Sequence, residues 1–400
     1  MDNFISLITN KNKVQLTIFV LAVIGVAPFT IFSEVLNVDH IVFAIFYRTS
    51  FLVLCLYLLW KTDLRKLFKE KYVQLFLLFF LLYFIRVLFD TIIFPKELGF
   101  PIIKYYTFTW GVIIIPTLAF NFKLKKADLE AAFRVILPVF LTICIYSLMV
   151  SNFQFENGSV RLWGGETVHP IVLGHIAVTN IIFSIYFILE SYKLKNKIFF
   201  VSNVLISLLT LSLTDSRGPI VALFILLIFY LIFIAELKKK QILLVGTISV
   251  ALILSLIFFT EFYNRLVFTI HGGARIQHWS IALKQFIGSP FWGSSLEENV
   301  HKIYPHNILI ESFMALGIFG GSLFLVIIFK FLKEAYKILK SKNNIDKWLV
   351  LLFVQFLVSS MFSGSLITNA LVWYFGIMIV SVALNKKTSP KIITEKNAIL

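Results

Sequence analysis

Apolar runs recur along nearly the whole chain, each close to the roughly 20 residues that a helix needs to cross a hydrocarbon core. They fall at residues 14–36, 40–60, 72–94, 101–120, 129–151, 168–189, 198–214, 217–235, 241–260, 306–329, 346–363 and 366–384. This pattern predicts an all-α polytopic membrane protein of about twelve spans. The longest apolar stretch, 198–235, is interrupted by Thr214-Asp215-Ser216-Arg217-Gly218-Pro219, a turn and helix-start signal. Two polar connections stand out: a smaller one at 152–167 and a large one at 261–305. No internal repeat or low-complexity linker divides the chain, so residues 1–400 read as a single integral membrane domain. The first run, Val14 to Leu36, exceeds a signal-peptide core and lacks a small-residue cleavage site, so it reads as a span.

Charge then orients the spans. Basic clusters occur at 11–13, 61–71, 122–126, 193–197, 238–240, 330–347 and in the C-terminal tail. Alternating the spans places all of these clusters on one side, which the positive-inside rule makes cytoplasmic. Both termini are then cytoplasmic, and the 152–167 and 261–305 loops face outward. The net charge of +16 could otherwise signal nucleic acid. Here the charge marks topology, and no nucleic-acid partner is expected. With 59% hydrophobic residues and 44 Phe, the composition suits a bilayer rather than a soluble core. Cys55 and Cys144 both lie in apolar runs and have no metal-type spacing.

The polar residues worth weighing lie mostly on the outer side. All seven histidines (His40, His169, His175, His271, His278, His301 and His306) map to outer loops or outer ends of spans. His306 and Asn307 follow Pro305, which disfavours helix at Tyr304, while Asn is a good N-cap, so a helix is expected to start there. An imidazole beside a helix N-terminus is kept neutral and can accept a proton. Capping alone is the plain structural alternative. Arg217 opens the eighth span and reads equally as a headgroup contact or a phosphate clamp, with Asp215 a candidate cap. Arg275 begins a predicted amphipathic helix that ends at Gly288-Ser289-Pro290. Arg161, Trp163 and Gly164-Gly165 form a basic, aromatic, flexible cluster in the smaller loop, with His169 and His175 just beyond it.

Inside the spans, Arg86 and Asp90 stand four apart and read as a neutralising pair, while Arg48 has no local partner and suits a cavity wall. Glu166, Glu297 and Glu298 read as solvated surface acids. The spacings 271/278 and 301/306 put neither histidine pair on one helix face, and no acid lies at a diagnostic offset. No metal and no cofactor are expected on these grounds.

Several motifs taken together resemble the O-antigen ligase and polysaccharide polymerase family of bacterial membrane glycosyltransferases. They are Asp215-Ser216-Arg217-Gly218, Gly273-Ala274-Arg275 with Trp279, Ser289-Pro290-Phe291-Trp292-Gly293, Pro305-His306-Asn307 and Ala315-Leu316-Gly317-Ile318-Phe319-Gly320. Arg161-Leu162-Trp163-Gly164 followed by His169-Pro170 and Leu173-Gly174 extends the likeness to the smaller outer loop. The resemblance implies a metal-independent, inverting transfer of a glycan from an undecaprenyl-pyrophosphate-linked oligosaccharide to an acceptor glycan at the outer face of the bacterial inner membrane. The acceptor would be a lipid-linked repeat unit or lipid A core, and a flippase and chain-length regulators would be partners. On this basis His306 is the expected catalytic base, with Arg217, Arg275, Asn307, Arg161 and His169 binding substrate. The 261–305 loop is short for a ligase that uses lipid A core, which favours repeat-unit polymerisation. A transporter or flippase is the alternative from another class, but no repeat of two halves is visible and the notable polar loop is late and external.

Overall fold

The computed structural model describes residues 10–156, 159–191, 193–235, 274–341 and 344–388. The expected span at 241–260, the stretch 261–273 with Arg265, His271 and Gly272-Gly273, and the last residues of the tail lie outside these. The elements in chain order are α1 (Lys11–Ile24), α2 (Ala27–Val35), α3 (His40–Trp60), α4 (Leu64–Lys69), α5 (Lys71–Ile93), α6 (Ile102–Ala119) and α7 (Lys126–Val150). A two-stranded antiparallel ribbon, β1 (Phe153–Glu156) and β2 (Ser159–Leu162), follows, with Phe153 facing Leu162 and Gln154 facing Arg161. Then come α8 (Pro170–Glu190), α9 (Leu194–Leu213), α10 (Arg217–Phe233), α11 (Ala274–Gly288), α12 (Ile308–Leu339), α13 (Asn344–Ser360) and α14 (Ala370–Thr388).

Every apolar run expected to span, within the described residues, coincides with helix. Among the described residues, seven helices are long and apolar enough to cross a membrane, or eight if the bent α1–α2 pair is one span. That pair turns by 69° at Gly25-Val26, where Gly25 has φ +68, so the first run is broken rather than continuous. Helix α10 and the apolar part of α14, Ala370–Asn385, are shorter, because a turn sequence or a polar loop trims each run. Within the large loop, α11 forms where a helix from Arg275 to Gly288 is expected.

Large apolar side chains such as Phe46, Ile103 and Phe329 point outward on the helices, as lipid-facing surfaces require. The interior is aromatic. Trp373 of α14 is fully buried among Phe76, Phe79 and Phe80 of α5 and Phe324 of α12, with ring centroids 5.0–6.0 Å apart. Buried polar side chains tie helices together where backbones come close. Asn180 of α8 donates to Asn203 Oδ1 (2.7 Å) and Ser207 Oγ (2.9 Å) of α9, and Gln355 of α13 donates to the His175 carbonyl (3.0 Å).

Cross-links between loops sort into two sets, as an alternating bundle requires. Residues 34 and 166, 99 and 297, 161 and 216, and 307 and 361 are joined at one end of the bundle. At the other end, Tyr72 donates to Asn121 (2.7 Å), and Lys347 donates to the Phe233 carbonyl (2.7 Å). The described parts of the polar loops weighed above belong to the first set.

Candidate functional site

The sequence sets α12 in place before any tertiary contact. Asn307 is its N-cap: Oδ1 accepts from the N–H groups of Leu309 (3.0 Å) and Ile310 (3.1 Å). Its Nδ2 donates to the Met361 carbonyl (3.1 Å), which pins the start of α12 to the loop between α13 and α14. Both ends of the amide thus help to hold this junction.

His306 sits just ahead of the cap, outside the helix, in the left-handed region at φ +56. A β-carbon residue held there carries strain, which persists only where neighbours over-determine the backbone. The neighbours are identifiable. Trp279 of α11 donates its indole N–H to the Pro305 carbonyl (2.8 Å), and the rings of Tyr304 and His278 lie 4.8 and 6.3 Å from that of His306. Partial burial lowers the His306 pKa to about 4, and the nearby Arg275 and His278 add to the effect. The imidazole is neutral at physiological pH, as expected, but burial is the main cause rather than the helix N-terminus.

Arg275, in the first turn of α11, therefore comes together with His306. Helix α11 is stitched to the loop that follows it. Gln285 donates to Ser294 Oγ (3.1 Å) and accepts from the Asn299 N–H (2.7 Å), and Ala282 is fully buried. It packs as part of the site rather than lying apart on the surface.

Two acids read as solvated are buried instead. Glu297 accepts from the N–H groups of Gly99 (2.6 Å) and Phe100 (2.9 Å) and from the Tyr105 hydroxyl (2.7 Å), locking the α5–α6 connection onto this loop. Glu298 is wholly enclosed and accepts from the N–H groups of Val300 (2.8 Å) and His301 (3.0 Å). Its Oε1 also meets Nδ1 of His278 (3.0 Å) and Nδ1 of His301 (2.8 Å). Burial opposes ionisation of this carboxyl, but the donors from His301, Val300 and His278 outweigh it and hold its pKa below the usual range.

Beneath the loop lies the Arg86–Asp90 pair, which is present as expected at 3.3 Å, with Lys96 also 3.4 Å from Asp90. Its role extends beyond neutralisation. Arg86 donates to the carbonyls of Trp292 (2.6 Å), Gly293 (3.2 Å), Ser294 (3.3 Å) and Ala315 (2.9 Å). Asp90, re-aimed by a π turn at the end of α5, accepts from the Leu296 N–H (2.9 Å). The two glycine motifs meet here as well. Gly317, at φ +64, kinks α12, and a Cβ on it would strike the Phe291 carbonyl; Gly293, at φ +74, packs the same way against Ala315. The Ile318 N–H donates to the Pro290 carbonyl (2.7 Å), closing the contact.

A second group forms around the start of α10. Arg161 is buried, donating from Nε to the Thr214 carbonyl (3.2 Å) and from Nη2 to Ser216 Oγ (2.8 Å). Its guanidinium braces the turn that presents Arg217. Ser216, not Asp215, is the N-cap residue of α10, because Asp215 adopts a left-handed φ of +45. His169 caps α8, with Nδ1 accepting from the Ile171 N–H (3.2 Å) and its ring 5.0 Å from Trp163. Met361-Phe362 relates the two groups. The Met361 carbonyl holds Asn307, and Phe362 is the nearest neighbour of Gly218, with 3.8 Å left for an added Cβ.

Arg48 does line a cavity. A hollow of about 400 Å³ between the helices is bordered by Arg48, Tyr47, His175, Ser359, Thr368 and Asn369, with walls that are otherwise mostly apolar. Its guanidinium also lies 5.2 Å from the Phe108 ring.

These features define a polytopic helical membrane protein whose polar chemistry is gathered in loops at one end. Residues 202–325 match the model of the O-antigen ligase family, Wzy_C, and the motif resemblance is thereby supported. The match covers 124 of the 400 residues. The matched stretch contains Arg217, Arg275, His306 and Asn307, whereas Arg161 and His169 precede it. Searches of curated proteins and of solved structures return no match.

Proposed function

We propose that the protein transfers a glycan from an undecaprenyl-pyrophosphate donor to a sugar hydroxyl at the outer face of the bacterial inner membrane, polymerising repeat units of a surface polysaccharide. The observation that carries this reading is a neutral His306 beside Arg275 within the stretch matching the O-antigen ligase family. In this scheme His306 takes the proton of the acceptor hydroxyl as its oxygen attacks the anomeric carbon. The bond to the pyrophosphate breaks on the opposite face, inverting the configuration. Arg275 and Arg217 balance the charge left on the departing diphosphate without help from a metal. Arg161, Asn307 and His169 act as positioning residues, since each is engaged at a turn or helix cap. The apolar hollow with Arg48 at its wall is suited to the lipid tail of the donor.

Deleting the gene and extracting lipid-linked glycans tests the proposal. Accumulation of single repeat units on undecaprenyl pyrophosphate is the expected result. Long chains left on the same lipid would instead establish a ligase acting on lipid A core, and an unchanged glycan pool would remove the enzyme reading in favour of a transporter. Arg275→Lys is expected to lose about tenfold or more in rate, because an ammonium cannot bind phosphate in a bidentate fashion. Turnover by the purified variant measures this directly.

A further inference from the structure

Three potential metal ligands that the sequence scatters over two elements converge beside His306. His278 projects from the second turn of α11, while Glu298 and His301 belong to the loop ahead of α12. One ligand atom from each lies within 4.8 Å of the others, and both Nδ1 atoms lie at 2.8–3.0 Å from the same carboxylate oxygen. We propose that His278, Glu298 and His301 form a binding site for a divalent transition-metal ion, with zinc as its reference occupant, that clamps α11 to the loop carrying His306. This goes beyond the transfer reaction, which draws on the imidazole and guanidinium groups described above.

The donor set is the argument for the class of ion. Two imidazole nitrogens with one carboxylate oxygen suit zinc, which takes such sets with a fourth position left open. Imidazole ligands select zinc and its first-row neighbours over magnesium and calcium, which favour oxygen. The carboxylate is already oriented: Val300 and His301 hold it by their N–H groups. Its own backbone is fixed too, through the Glu298 N–H to the Ile303 carbonyl (2.9 Å) and the Lys302 N–H to the Glu298 carbonyl (3.1 Å). Such outer contacts keep a ligand in place before the ion arrives. His278 and Glu298 are shielded, but the His301 side chain is 46% exposed. It borders a surface hollow of about 400 Å³ with Ile276, Gln277, Ser280 and Ile281, which supplies a route in and room for a fourth ligand. On binding, the ion occupies the space where the two Nδ1 protons otherwise bond Glu298, so each ring must offer Nδ1 unprotonated.

The test uses the full-length protein in detergent, without a polyhistidine tag, freed of metal by a chelating resin. Titration with zinc chloride by calorimetry is expected to show one equivalent bound per chain and a raised melting temperature. Cobalt(II) is expected to give the visible absorption of a four-coordinate nitrogen and oxygen site, and magnesium is expected to do neither. His301→Ala is expected to weaken zinc binding about tenfold or more. Its half-exposed ring makes the metal-free variant expected to melt where the metal-free parent does. Zinc binding that is absent from the parent, or that survives unchanged in both His278→Ala and His301→Ala, would overturn the site and leave a hydrogen-bonded His–Glu–His cluster.

Discussion

His306→Ala is expected to lower glycan transfer by about 10²–10⁴-fold, the usual contribution of a positioned general base. The protein should remain folded, because the side chain is not among the groups that close the loop. Those are Arg86, Glu297, Glu298 and Asn307, each with several partners of its own. The pH profile of the parent enzyme provides an independent check. Burial, with Arg275 and His278 nearby, lowers the His306 pKa to about 4. The neutral, proton-accepting form therefore persists well below the ordinary histidine range. Activity should hold as the pH drops through 6.5 and decline only towards 4. Measured turnover that halves near pH 6.5, or a His306→Ala enzyme with parental turnover, would remove His306 from the reaction.

The second large effect is structural. Arg86→Leu is expected to destabilise the protein by about 3–5 kcal/mol, the cost of breaking a buried ion pair by removing one partner. Arg86 satisfies the carbonyls of Trp292, Gly293, Ser294 and Ala315, and it neutralises Asp90, which is 0% exposed. Lys96 still reaches Asp90 and the Ser294 carbonyl in the variant, so the loss is partial for those two groups, while the carbonyls of Trp292, Gly293 and Ala315 lose their bonds to Arg86. The loop at 289–296 should become sensitive to protease, and transfer should fall because α11 and His306 rest upon it. Thermal melts in detergent and limited proteolysis measure both effects. A melting temperature equal to the parent's would mean that these hydrogen bonds are replaced by water without cost.

Several features were open to inspection in the residues alone. Apolar runs located the helices, because a bilayer solvent demands long apolar segments whose backbone bonds are satisfied internally. Pro305 followed by Asn307 marked the start of α12 to within a residue, since capping is local chemistry. The four-residue spacing of Arg86 and Asp90 announced their pairing for the same reason. The span count was less accessible. A 69° break at Gly25 and the shortness of α10 and α14 depend on turn geometry that hydropathy averages away.

The membrane class, the helix positions, the cap at Asn307 and the stretch that matches the O-antigen ligase family are thus all legible in the residues. What the buried charges do emerges from the folded chain. Arg161 turns out to brace a turn 55 residues away, and Arg86 holds a loop 206 residues away. Glu297 and Glu298, which local composition paints as solvated, are enclosed because partners from distant segments supply their hydrogen bonds. The physical reason is reach: hydropathy and capping act between neighbours along the chain, whereas burial of a charge depends on which distant groups arrive to replace its water.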